Sequence, residues 1–99
     1  MADYDHTLLD DVIHSRIRLA IMAVLIAVDQ AEFTFLKEKV NATDGNLSVH
    51  LKKLDEAGYV SVQKRFVDRK PLSSYRLTAR GRRAFESYVE RLESLIGKQ

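Results

Sequence analysis

The sequence predicts one α+β domain, mostly α-helical, with a two-stranded β-hairpin placed before a long final helix. Three observations support this fold class. Apolar residues recur at spacings of three and four along most of the chain, as on one face of a helix. Two β-branched and aromatic segments between residues 59 and 77 flank a basic loop, as in a hairpin. The 99 residues include four glycines, one proline and no cysteine, which suits one helix-rich domain without disulfides.

The first two predicted helices provide apolar faces. Leu8, Leu9, Val12 and Ile13 share one face of a short N-terminal helix. The next segment, from about residue 15 to residue 28, is apolar nearly all round. Such a helix is buried on most sides, so we expect it to be the central core helix.

The next two helices form a helix-turn-helix. Asp29–Glu32 is predicted to be a polar connection, and Thr34 is predicted to cap a helix over Phe35–Val40. Thr43 is predicted to cap a third helix that ends at Gly58. Two helices joined by a short turn, the second with a polar outer face, are typical of modules that place the second helix in a DNA groove.

The third helix divides into two faces at about 100° per residue. Leu47, Leu51 and Leu54 lie on the inner face and are expected in the core. The residues expected to contact DNA are Thr43, Gly45, Asn46, Ser48, Val49, Lys52 and Lys53. An Asn amide can pair with adenine, whereas lysines usually reach phosphates. The alternatives are that Asn46 only supports the capping turn and that Lys53 is simply solvated.

The hairpin and its charge provide a second candidate surface. Its strands are predicted over residues 59–66 and Leu72–Leu77, with Val67–Pro71 as the loop. Thr78 is predicted to cap a final helix from Ala79 to about Ile96. The hairpin residues expected to contact DNA are Lys64, Arg65, Arg69, Lys70 and Arg76. Basic hairpin tips commonly contact the phosphate backbone or enter the minor groove. Protection of an exposed sheet edge by charge is the alternative.

Charge is distributed unevenly along the chain. Residues 45–83 contain ten basic and three acidic residues, a net charge of +7, while the rest of the chain carries −5. This asymmetry indicates that one half of the domain faces a polyanion.

Two segments resemble the winged-helix regulators of the MarR and ArsR kind. They are Asn46–Val60 and Tyr75–Phe85, the second with a leucine-threonine pair that two residues separate from a glycine. The resemblance covers about residues 8–96 and implies a winged helix-turn-helix with a two-stranded wing, as a single domain over residues 1–99. It also implies a small prokaryotic DNA-binding transcriptional regulator. A thiolate metal sensor of the ArsR type is not expected, because the chain has no cysteine.

The last predicted helix carries a heptad-like apolar stripe that is too short for a free coiled coil. The stripe consists of Phe85, Tyr88, Val89, Leu92, Leu95 and Ile96. The resemblance implies that the first and last helices join two copies across a twofold axis, with Leu8, Leu9 and Val12 as the facing surface. The alternative is that both stripes close the core of one monomer. A dimer would place two third helices about one DNA turn apart, as a pseudo-palindromic site requires.

These features favour a sequence-specific double-stranded DNA-binding transcriptional regulator, more readily a repressor, that acts as a homodimer. The alternative is a winged-helix module for protein–protein or RNA contact. An enzyme is not expected, because Ser48 and His50 lie two residues apart on a helix and point in different directions. His50 lies beside the apolar edge and is expected to be structural.

No cofactor or metal is expected, since His6, His14 and His50 lack a metal-ligand spacing. Whether a small-molecule effector binds stays open. The N-terminus is acidic at Asp3 and Asp5, and the longest apolar run is half a membrane span, so a cytoplasmic location without membrane contact is expected.

Overall fold

The computed structural model describes residues 5–97, so residues 1–4, with Asp3, and residues 98–99 of the predicted domain lie outside the described residues. A short 3₁₀ turn at His6–Leu8 precedes the regular elements. These are α1 (Arg16–Val28), β1 (Ala31–Glu32), α2 (Phe33–Val40), α3 (Asp44–Glu56), β2 (Val60–Val67), β3 (Lys70–Leu77) and α4 (Ala79–Leu95). The antiparallel sheet has the order β1-β3-β2. The predicted mostly helical α+β fold, with a hairpin before a long helix, is confirmed.

The core lies where α1, α2 and α3 meet the sheet. Its fully or almost fully buried side chains include Ile13, Ile21, Met22, Leu25, Leu36, Leu47, Leu51, Leu54 and Val60. The predicted inner face of α3 is therefore confirmed. Helix α1 is central and buried on most sides, as predicted, with one exposed face that includes Ala23 and Ala27.

The predicted N-terminal helix over residues 8–13 is wrong. The Asp10 side chain accepts a hydrogen bond from the backbone N–H of Val12 at 2.8 Å, and Asp5 does the same for Thr7 at 3.0 Å. Such local side-chain bonds compete with helical ones, so the segment forms separate turns. The turns still bury Ile13 completely. Ser15 then caps α1 by accepting from the Arg18 N–H.

Strand β1 was not predicted, and it changes the start of α2. Ala31 pairs with Tyr75 and Glu32 with Ser74, where a polar connection was expected. Because Glu32 is the last extended residue, α2 begins at Phe33, and the predicted cap at Thr34 is wrong. A strand of two residues is too short to show alternation in a sequence.

Strands β2 and β3 form a tighter hairpin than predicted. Val67 pairs with Lys70, so the connection is the two-residue turn Asp68–Arg69 instead of a loop over Val67–Pro71. Both turn residues have positive φ, 51° and 66°. This is the backbone of a type I′ turn, whose twist matches that of the flanking strands.

Helix α4 is fixed to the end of α3 at one point. The Thr78 hydroxyl donates to the carbonyl of Gly58 at 2.6 Å and accepts from the N–H of Gly81 at 2.9 Å, so the predicted cap is confirmed. A Cβ at Gly81 would lie 2.0 Å from the carbonyl oxygen of Tyr59. Only glycine fits at this contact. Within residues 5–97, no helix combines the length and hydropathy that crossing a membrane requires.

Candidate nucleic-acid interface

The outer face of α3 is open to solvent along its whole length. The seven residues predicted on it are all exposed: Thr43, Gly45, Asn46, Ser48, Val49, Lys52 and Lys53. Val49 is 54% exposed although its neighbours on the inner face are buried. The surface therefore offers amide, hydroxyl, methyl and ammonium groups side by side.

The first turn of α3 leaves its backbone accessible to a partner molecule. The backbone N–H of Asn46 donates to the Thr43 hydroxyl at 3.2 Å, while the Asn46 side chain is exposed. A Cβ at Gly45 would meet nothing within 4 Å, so the backbone is unobstructed there. Lys37 of α2 lies 2.8 Å from the Asp44 carboxylate, which links the two helices. The Asn46 backbone thus supports the cap and leaves its amide available.

We call β2, β3 and their turn the wing. An open groove of about 210 Å³ lies between α3 and the wing. Ser48 and Lys52 line it from α3, and Lys64 lines it from β2. The complete lining is Ser48, Leu51, Lys52, Asp55, Val62, Lys64 and Tyr75. The fold therefore brings together two basic residues that lie twelve positions apart in the chain.

The strand alternation divides the wing into two faces. Lys64 and Phe66 lie on the groove face with Val62, whereas Arg65 lies on the opposite face with Lys70, the partner of Val67. Phe66 is 76% exposed. The sequence interpretation assigned Phe66 to the strand but gave it no role, although an aromatic residue beside a basic hairpin tip was the available signal.

Arg76 and Lys53 lie apart from this groove. Arg76 is at the base of the wing, where its guanidinium donates to the Gln30 side chain at 3.1 Å and lies 3.6 Å from the Asp29 carboxylate. Arg76 remains exposed, and its role as a DNA contact stays a prediction. Lys53 lines a different depression with Arg18, near the N-terminal turns.

His50 has a structural environment, as predicted. Its Nδ1 lies 2.8 Å from the Arg18 guanidinium, which also donates to the carbonyls of Val12 and Asp11. A guanidinium can only donate, so Nδ1 accepts. Partial burial, then the charges of Arg18 and Lys53, lower the pKa of His50. Sequence reasoning missed Arg18, although a basic residue inside an apolar helix was the available signal.

The residues of the predicted dimer stripe differ in how far they are exposed to solvent. Val89 is 36% and Ile96 70% exposed, and Leu8 is 41% exposed nearby. Phe85, Leu92, Leu95, Leu9 and Val12 are half-buried. Tyr88 is 4% exposed and its hydroxyl lies 2.8 Å from Nδ1 of His14, so its prediction as an interface residue is corrected to a core position.

The N-terminal turns contact α4 within one chain. Leu8, Leu9 and Leu95 line a small depression with Arg91 and Ser94. Part of each predicted stripe therefore packs inside the monomer, as the alternative interpretation required. Within the described range, no cluster of three His, Asp or Glu side chains is arranged to hold a metal ion.

Comparisons with known proteins agree with this architecture. Residues 17–96 match the family described as "Winged helix DNA-binding domain". The chain is 41% identical over 78 residues to the uncharacterized protein MJ0432 of Methanocaldococcus jannaschii, covering 79% of this chain and 85% of that protein. A transcriptional regulator homologue of Pyrococcus horikoshii superposes with a TM-score of 0.80 at 27% identity, covering 86% of this chain and 84% of that one.

A MarR-family transcriptional regulator of Silicibacter pomeroyi superposes with a TM-score of 0.67 over 86% of this chain and 56% of its own, and at 21% identity it is similar in fold alone. The chain therefore belongs to the winged helix DNA-binding domain family, and its fold is that of MarR-like transcriptional regulators.

Proposed function

We propose that this chain is a sequence-specific double-stranded DNA-binding transcriptional regulator that acts as a homodimer on a pseudo-palindromic operator. The observation that carries the proposal is the groove shared by α3 and the wing, with Lys52 and Lys64 lining it from its two sides. A duplex presents phosphates on both sides of each groove, so cations on two elements can hold its backbone at once.

The outer face of α3 offers the groups that read base edges. Asn46 has an exposed amide, which can accept from and donate to adenine in the major groove. Ser48 can bond to several bases, and the exposed Val49 methyls suit the methyl group of thymine. Gly45 lets the backbone approach closely, while Thr43 fixes the turn. We assign Lys53 to a phosphate on the side of α3 away from the wing.

The exposed part of α4 supports the homodimer. Val89 on this helix, Ile96 at its C-cap and Leu8 of the N-terminal turns are exposed apolar side chains. Half-buried Phe85, Leu92 and Leu95 lie along the same stripe, so a second copy would complete the burial of all of them. A twofold pair would present two α3 helices to successive major grooves.

We infer that repression is the mode of action. A dimer of this size bound across a promoter covers about two half-sites, which is sufficient to exclude another protein from the same DNA. This mode needs only stable occupancy of the duplex.

The proposal is tested by selecting bound fragments from a random duplex pool at about 0.1 M salt, where exposed charges are screened beyond about 10 Å. The expected result is a consensus with two inverted half-sites whose centres lie roughly 10–11 base pairs apart. A pool that stays random, or that enriches only single-stranded RNA added in parallel, would instead favour the protein–protein or RNA module.

A further inference from the structure

The tip of the wing carries an apolar pair on a strongly basic hairpin. Phe66 is the most exposed of the large hydrophobic side chains in residues 5–97, at 76%. It pairs across the strands with Pro71, which is also exposed. Partners in an antiparallel pair lie on the same face, so the two rings together form one apolar projection. Contiguous exposed apolar side chains mark interaction surfaces more often than singly scattered ones do.

The projection points toward the same side as the groove. Val62 and Lys64 line the groove from β2, and Phe66 is two positions further along the same strand face. At about 3.3 Å per residue, Phe66 lies roughly 13 Å beyond Val62, outward from the body of the domain. A duplex seated on α3 would therefore extend toward Phe66.

The positive charge around the tip indicates an anionic partner. Lys64 and Arg65 precede Phe66, Arg69 lies in the turn and Lys70 follows it, against the single acid Asp68. A net charge of +3 around an apolar pair fits a polyanion with a stackable interior. Double-stranded DNA has both properties, because its phosphates surround stacked bases.

The two strands of the hairpin are also paired up to the turn. The turn residues Asp68 and Arg69 both have positive φ, and the strands pair without interruption from Val60–Leu77 to Val67–Lys70. A tip that is already ordered loses little conformational entropy on binding.

We propose that Phe66, supported by Pro71, is a wedge that inserts between two base pairs from the minor groove and kinks the bound DNA. The inference rests on the proposed function and extends it to the shape of the complex. Apolar wedges of this kind unstack one step and bend the duplex by roughly 20–90°. They favour flexible pyrimidine–purine steps, so Phe66 also selects sequence without bonding to a base edge.

The experiment uses a duplex recovered from the random-pool selection, labelled at both ends for energy transfer. A second sample of the same duplex carries 2-aminopurine at the pyrimidine–purine step next to the half-site, where the wedge is expected to insert. Unstacking of this base raises its fluorescence. The variants are Phe66→Ala, Phe66→Leu and the control Val67→Ala. Val67 is the adjacent exposed residue, at 45%, and lies on the opposite face of the strand.

The unmodified protein is expected to shorten the end-to-end distance and raise the 2-aminopurine signal. Val67→Ala and Phe66→Leu keep both effects, since leucine also serves as a wedge. Phe66→Ala loses both, while the salt dependence of its binding is unchanged because no cation is removed.

The wedge is overturned if the bound duplex is straight, or if Phe66→Ala bends it as much as the unmodified protein does. In either case DNA binding itself still stands. If no duplex is enriched in the selection, the proposed function fails together with the wedge. A thermal unfolding curve that matches the unmodified protein is expected for Phe66→Ala, because the side chain is exposed.

Discussion

Single side chains connect α3 to the rest of the domain. Arg18 crosses from α1 to His50 on α3 and also holds two carbonyls of the N-terminal turns. The Tyr59 hydroxyl donates to Asp10, and burial followed by this bond raises the pKa of Tyr59 to about 12. These bonds connect segments distant in sequence. Their partners could not be predicted, because no local pattern encodes them.

The His50 contact predicts a pH dependence of stability. Its pKa is lowered in the folded chain, so the neutral ring contributes stability that is fully present above the unfolded pKa of about 6.5 and is lost as pH falls through the folded value. Thermal unfolding between about pH 7.5 and 5 should show this loss. His50→Asn, whose oxygen accepts from Arg18 without titrating, should show a smaller loss. Equal losses in both proteins would contradict the assignment.

Gly81 predicts a large stability effect. Gly81→Ala places a Cβ 2.0 Å from a backbone oxygen, so α4 must move away from Tyr59. We expect a loss of about 3 kcal/mol in the free energy of unfolding, measured by urea titration. Gly45→Ala is the matched control, because its Cβ meets nothing within 4 Å, and it should be neutral or stabilising by about 0.5–1 kcal/mol. Similar results for the two variants would disprove the close contact.

Among the elements, the wing carries most of the inferred function. Its strands pair up to a two-residue turn, and its strand alternation places Lys64 and Arg65 on opposite faces. The groove face meets α3, whereas Arg65 and Lys70 face away from it. Cations on both faces suit an arm with a phosphate strand on each side.

Removing charge at the turn should weaken binding to all duplexes. Arg69→Asn with Lys70→Gln keeps the turn, because asparagine tolerates positive φ. The slope of log K against log salt should become less steep by roughly one unit for each phosphate that the variant no longer neutralises. Arg76→Gln should change the slope less, since Arg76 also binds Gln30 and Asp29 at the base of the wing. An unchanged slope in the turn variant would remove the tip from the interface.

Elements with a strong local signal were predicted well from the sequence. Helix α3 has a periodic apolar face, a capping threonine and a terminal glycine, and its bounds and buried face were confirmed. Strand β1 pairs with residues more than forty positions away and has no periodicity of its own. The N-terminal helix was wrong because apolar spacing was followed without weighing the bonds that Asp5 and Asp10 make to the backbone.

In the whole molecule, the basic surface of α3 and the wing is separate from the exposed apolar residues of α4. The stretch with a net charge of +7 includes α3 and the wing, and the exposed apolar residues of α4 lie in the remainder. A twofold pair joined through α4 would leave both basic surfaces accessible. The sequence showed the stripe, but only the packing of Tyr88 against His14 shows which part of it is already buried.

The dimer is tested most sharply at Val89, which is exposed on the stripe and is not needed for the core. Val89→Glu should give monomers in sedimentation equilibrium with an unfolding curve close to that of the unmodified protein. Ser87→Glu is the control, because Ser87 is exposed and lies about 200° away around α4. A monomeric unmodified protein, or a dimeric Val89→Glu variant, would contradict this interface.

Binding of a DNA duplex by α3 and the wing together is the property on which the other proposals depend. The most direct measurement is the equilibrium constant for the selected duplex, titrated between about 50 and 300 mM salt. Each protomer presents seven exposed cations on these elements: Lys52, Lys53, Lys64, Arg65, Arg69, Lys70 and Arg76. If half of the fourteen in a dimer contact phosphates, the slope of log K against log salt is about −6.3. A slope flatter than about −1, or no binding at about 50 mM salt, would contradict DNA binding by these elements.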